Sequence, residues 1–202
     1  MINIIKDVDL RENLDGYDAI LIGTNTYCTM SHGMQLYVML NYPYVYEKNL
    51  ETKYADPEKL GTIIECKSEN EPTFCLCFIT NSYNFRPYDI KDFLSYESLE
   101  KCLKLVNILY KGKKVATTLM GASKFDGNGD REKIFEIFNS TITDVDLTIY
   151  DYYQKLRDEE LVELLKEESK VKKKDRDAYY KMVRERKKIA EDRFKKNGHR
   201  RY

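Results

Sequence analysis

Six short apolar runs, separated by stretches of helical periodicity, constrain this chain more than any other feature. They are Ile2 to Ile5, Asp18 to Gly23, Gly61 to Cys66, Thr73 to Ile79, Lys114 to Met120 and Val145 to Tyr150. Runs of this length suit strands and are too short for buried helices. Between them, apolar residues recur at helical spacing over about Gly33 to Leu40, Tyr96 to Tyr110 and Asp130 to Phe138. The alternation predicts an α/β domain, a mixed sheet with helices on both faces. DAILIG and KVATTLM are apolar at their centres, so they are predicted to be adjacent or nearly adjacent strands in the middle of the sheet. In such sheets ligands bind beyond the carboxyl ends of strands, where loops feed helix N-termini. Two loops qualify: TNTYCTMSHG after the second run and GASKFDGNGD after the fifth.

Beyond about residue 153 the character of the chain changes. From Asp151 to Tyr202 there are 18 basic and 12 acidic residues, a net of +6, which leaves −6 on residues 1–150. This segment has no proline, and its one glycine is Gly198, so nothing interrupts helix from about Tyr153 to Lys196. A domain over 1–153 and a charged helical arm over 154–202 are therefore expected. A helix that long would measure on the order of 60 Å and could not fold wholly back on its own domain. Tyr179, Tyr180, Val183 and Phe194 form its apolar stripe, and a stripe that would otherwise face water implies a protein partner. The acids Asp175, Asp177, Glu185, Glu191 and Asp192 interrupt the basic face, which disfavours a phosphate-tracking role and ranks nucleic acid below protein as partner.

Other classes are set aside on composition. No apolar run approaches the roughly 20 residues of a membrane span. Asp7 and Asp9 interrupt the N-terminus where a secretory signal would stay apolar, so the expected location is the cytoplasm in which the chain is made. Cys28, Cys66, Cys75, Cys77 and Cys102 are odd in number and lack disulfide or zinc spacing, which fits a reducing compartment, and Cys75 and Cys77, on one face of the run TFCLCFI, are read as small buried hydrophobes. Neither a metal nor a cofactor is expected, and the chain contains no catalytic triad pattern, Walker loop or GxGxxG.

The candidate site residues lie in and beside the two loops. They are Asn25, Ser31, His32 and Gly33 in the first, Asn81 after the fourth run, and Gly121, Ala122, Ser123 and Asp126 in the second. Asn25 suits either an Asx-turn or a ligand contact, His32 a surface turn or a phosphate contact, and Asp126 a turn. Asp130 precedes Glu132 and Lys133 at a helix start and reads as an N-cap. Tyr83 and Phe85 are the nearest aromatic residues. In element order and in these loops, residues 1–153 resemble the macrodomain family, especially its ADP-ribosyl glycohydrolase branch. The resemblance rests on DAILIGTNTYCTMSHGMQLYVMLNYP, FCLCFITNSYNFRP, SLEKCLKLVNILY and KVATTLMGASKFDGNGDREKIFEIF.

The resemblance implies an ADP-ribose site, with Asn25 at the ribose-contacting asparagine and Gly33 at the second glycine of the turn. It also exposes departures. Ser31 and His32 replace a glycine and a small or lysine residue, adding bulk where backbone would meet a ribose. Asn81 stands where the hydrolase branch has its catalytic lysine, and an amide cannot form an imine. Ala122 and Ser123 replace the Cys-Gly after Gly121, and Asp126 is the acid that would serve if the site were active. The leading expectation is therefore a structural or assembly module with an eroded pocket, a homo-oligomer or part of a multi-subunit assembly. Richness in Lys, Tyr, Asn and Ile points to an AT-rich genome, and so to a phage tail or connector-ring component of a virion. An ADP-ribose binder or hydrolase is the alternative.

Overall fold

The computed structural model describes residues 2–30, 33–81, 93–123 and 127–152. The compact unit over Met1–Tyr152 holds all of them. The expected arm with Tyr179, Tyr180, Val183 and Phe194 lies outside the described residues, as do Ser31, His32, Tyr83, Phe85 and Asp126.

Six strands form one sheet in the order β1-β6-β5-β2-β4-β3. They are β1 (Ile2–Lys6), β2 (Ala19–Asn25), β3 (Ile63–Cys66), β4 (Phe74–Thr80), β5 (Lys114–Thr118) and β6 (Asp146–Asp151). Four helices join them: α1 (Gly33–Asn41), α2 (Pro43–Leu50), α3 (Tyr96–Leu109) and α4 (Arg131–Thr141). Every pairing is parallel except β3 with β4. All six expected strands are present, and β2 and β5 pair directly, with Ala19, Ile20 and Leu21 opposite Val115, Ala116 and Thr117. β2 and β4 are buried along their whole length because both faces of the sheet are covered there.

Period-2 alternation sends Ala19, Leu21, Cys75, Cys77, Ile79, Val115, Leu147 and Ile149 to one face, where Leu99, Cys102, Leu103 and Val106 of α3 and Ile134 and Phe138 of α4 meet them. The residues between, including Ile20, Ile22, Phe74, Leu76 and Phe78, are buried on the opposite face with Val38 and Met39 of α1 and Val45 and Tyr46 of α2. All five cysteines are buried, and all are unpaired, as their spacing implied. Among the described residues, no helix is long and apolar enough to cross a membrane.

Candidate functional site

The sheet order reverses between β2 and β5. From β2 the chain runs over α1 and α2 to β3 and β4 on one side; after β4 it returns over α3 to β5 on the other. The loops leaving the carboxyl ends of β2 and β5 therefore diverge around a switch point, the position at which parallel sheets accept ligands.

The first loop is built by Asn25. At the end of β2 the register with β4 shifts by one residue, so that Asn25 lies opposite Thr80. Its amide is then consumed locally. Oδ1 accepts from the backbone N of Tyr27 at 3.0 Å and of Thr29 at 3.3 Å, while Nδ2 donates to the Thr29 carbonyl at 2.9 Å and hydroxyl at 2.8 Å. Of the two readings open in the sequence, the geometry is that of the Asx-turn. The neighbouring Thr26 hydroxyl donates to Oδ1 of Asn81, and the Thr26 N donates to the Thr80 carbonyl at 3.1 Å. Asn81 is thus tied to the first loop through its oxygen, is exposed, and has no amine to offer. At Gly33 the chain enters α1 with φ +51°, and among the described residues nothing lies within 4 Å of where a Cβ would stand. A helix start without a side chain lets a ligand approach at backbone distance.

The second loop is built around a side chain that sequence reasoning did not single out. Leu94, buried at the entrance to α3, bridges to Thr80 of β4. A Cβ on Gly121, at φ +80°, would stand 2.7 Å from Leu94 Cδ1; one on Gly129 would be 2.6 Å from Leu94 Cδ2, and one on Gly127 only 2.6 Å from the Gly121 carbonyl. The loop closes on itself through Ala122 N to Leu119 O, Gly127 N to Ser123 O and Gly129 N to Gly121 O. Its glycines therefore serve close packing over Leu94. Ala122 and Ser123 are half-buried at its tip. The signal that could have located Leu94 is an isolated leucine directly before the Ser95 N-cap of α3, which accepts from Ser98 N.

The N-terminus of α4 is closed by its own residues. Asp130 caps it, accepting from Lys133 N at 2.8 Å. Arg131 donates from Nη2 to both oxygens of Asp151, at 2.6 and 2.7 Å, at the carboxyl end of β6. α1 begins beyond the carboxyl end of β2, at the switch point. A cleft of about 300 Å³ at the amino ends of β5 and β6, lined by Asn3, Asp15, Tyr17, Lys114, Asp146 and Thr148, lies away from it. Among the described residues, no group of three or more His, Cys, Asp or Glu is placed to hold a metal.

No family model matches the chain, and no curated protein matches it in sequence. Solved structures do match in shape. A protein of unknown function from Bacteroides thetaiotaomicron aligns over 75% of this chain and 98% of its own, with 17% identity and a TM-score of 0.62. The macrodomain of Mycobacterium tuberculosis DarG aligns over 75% and 97%, with 17% identity and a TM-score of 0.54. Thermosipho africanus DarTG, solved in complex with ADP-ribose, aligns over 78% of this chain and 43% of its own, with 15% identity and a TM-score of 0.58. The fold is macrodomain-like.

Proposed function

We propose, taking the macrodomain-like fold as the premise, that this domain binds a ligand of the ADP-ribose class at the switch point between β2 and β5 and does not turn it over by amine chemistry. The observation that carries the reading is the start of α1 at Gly33, beside the switch point, where no described residue crowds the glycine and a helix N-terminus, with its backbone N–H groups and dipole, favours a diphosphate. ADP-ribose in the DarTG structure supports the ligand class. The absence of turnover follows from Asn81, whose amide nitrogen is not nucleophilic.

Titration calorimetry with ADP-ribose, ADP and AMP tests the reading. Saturable binding of ADP-ribose, weakened at least about tenfold by Gly33→Val, is expected, because a side chain there is strained at φ +51° and occupies the approach. No heat at millimolar ADP-ribose would overturn it. Release of ADP-ribose from an ADP-ribosylated peptide would overturn the non-catalytic part alone.

A second reading, assembly through the arm, is favoured by the division of charge into −6 and +6. Tyr180→Ala with Phe194→Ala would lower the oligomeric state in light scattering more than removing Lys172, Lys173 and Lys174. The phage-virion form of this reading finds no support in the structural neighbours.

A further inference from the structure

Lys59 is buried, with 9% of its surface exposed, and is not bonded to a carboxylate among the described residues. Its Nζ donates to Cys28 Sγ at 3.2 Å and to the Thr52 hydroxyl at 3.0 Å, and stands 4.8 Å from the centre of the Phe78 ring. The Thr52 hydroxyl donates to the Asn49 carbonyl at 2.7 Å, so it serves the lysine only as an acceptor. Asp56, the nearby acid, is taken up by Lys53 at 3.0 Å and by the Glu58 backbone N. Among the described residues the sulfur of Cys28, itself 3.3 Å from the Thr52 hydroxyl, is the group nearest the ammonium in charge and contact, with the Asp56 carboxylate acting from farther off. Cys28 is itself 2% exposed and held at φ +55°, a left-handed region that a non-glycine residue enters only under strain. The first loop thus places a sulfur against an amine, buried together, at a backbone strain cost.

We propose that Cys28 and Lys59 form a peroxide-responsive covalent switch, in which oxidation of the thiolate is followed by its capture as a sulfenamide. In the first step the Cys28 thiolate attacks hydrogen peroxide. An S–O bond forms, the O–O bond breaks, and the departing hydroxide takes a proton from the Lys59 ammonium to become water. Sulfur has lost two electrons and peroxide has gained them. The same proton transfer leaves Lys59 as a free amine beside a sulfenic acid. In the second step the amine nitrogen attacks sulfur, the S–O bond breaks, and the hydroxyl leaves with one nitrogen proton as a second water. Thiolate, ammonium and one peroxide become an S–N bond and two waters, and two equivalents of thiol reductant reverse it. The link would fasten the loop that follows Asn25 to the turn that precedes β3. The inference does not depend on what the switch point binds.

Peptide mapping of the full chain after about one equivalent of hydrogen peroxide tests this. A Cys28 peptide joined to the Lys59 peptide, lighter than their sum by about 2 Da and separated by dithiothreitol, is expected. Lys59→Arg keeps the charge and removes the available amine, so Cys28 should then stop at a sulfenic acid that dimedone labels. Should that variant fail to fold, the mapping of the unaltered chain decides alone. Cys28 recovered as a free thiol while Cys66 or Cys102 is oxidised would overturn the proposal, as would Cys28 sulfenic or sulfinic acid without the link.

Discussion

Asn25 sits where a ligand-contacting asparagine is expected, yet its side chain holds its own loop together through four bonds. Asn25→Ala should therefore lower stability by about 1–3 kcal/mol in urea denaturation, since it strands the backbone N–H groups of Tyr27 and Thr29. Unchanged stability would mean that the loop does not depend on the turn. Asn49 presents the opposite case. Its amide is fully buried, and among the described residues neither Nδ2 nor Oδ1 has a partner. Asn49→Leu, close in volume, should leave the protein as stable or raise it by about 1–2 kcal/mol, because the desolvated amide is removed. A marked loss would show that the amide has work the described contacts do not account for. The ambiguity at Asn25 was visible in the sequence but not its resolution, which depends on Thr29 folding back within reach. For Leu94 the sequence marks only its place before the Ser95 N-cap, and carries no local mark of three glycines closing over it.

The strands could be read from the chain because both central ones are continuous apolar runs, and α3, α4 and the Asp130 cap followed from ordinary periodicity and capping chemistry. α2 was missed. Pro43 reads as a breaker, but it occupies the first turn, where a missing N–H costs nothing, and the tyrosines that follow blur the apolar face. The sheet was expected to be mixed without saying which strand is reversed; it is β3, since the short connection from Cys66 to Phe74 leaves no room for a parallel crossover. β5 also ends at Thr118, two residues early, because Ala122 N turns back onto Leu119 O. Two variants probe these elements. Asp130→Ala should cost about 1 kcal/mol by uncapping α4. Gly121→Ala should cost more, since its Cβ meets Leu94 and its φ is left-handed; shortening Leu94 to alanine in the same chain should recover the clash but not the strain. Additive losses in that cycle would show that the loop does not pack on Leu94.

At the scale of the whole domain, the titratable groups of the core set its alkaline limit. Burial pushes the Cys66 thiol up to about 12 from 9.0 and the Tyr150 phenol up to about 12 from 10.0; Tyr44 and Tyr110 are also raised by burial, and Cys77 by its bonds to neighbouring cysteines and by burial. The native state keeps these protons after the unfolded chain has released them, so their contribution falls as pH rises from about 9 toward 12. Lys59 acts the other way. Burial lowers its pKa below 10.5, so the unfolded chain holds the extra proton just below that value and stability gains with pH there. One buried lysine opposes these acids and Tyr42, whose phenol burial also raises, and the urea midpoint should decline between about pH 9 and 11. A flat profile would mean that these thiols and phenols reach solvent. Geometry sets a second limit, a mechanical one. β1 and β6 are neighbours and parallel, with Ile2 opposite Leu147 and Lys6 opposite Asp151. Tension applied between the entry of β1 and the exit of β6 therefore slides one strand along the other and loads all five facing pairs together, where an antiparallel pair held at one end would unzip bond by bond. Stretched from Ile2 and Asp151, the domain should yield in a single high-force rupture, and peel apart at much lower force when the pull is moved to both ends of the turn between β3 and β4.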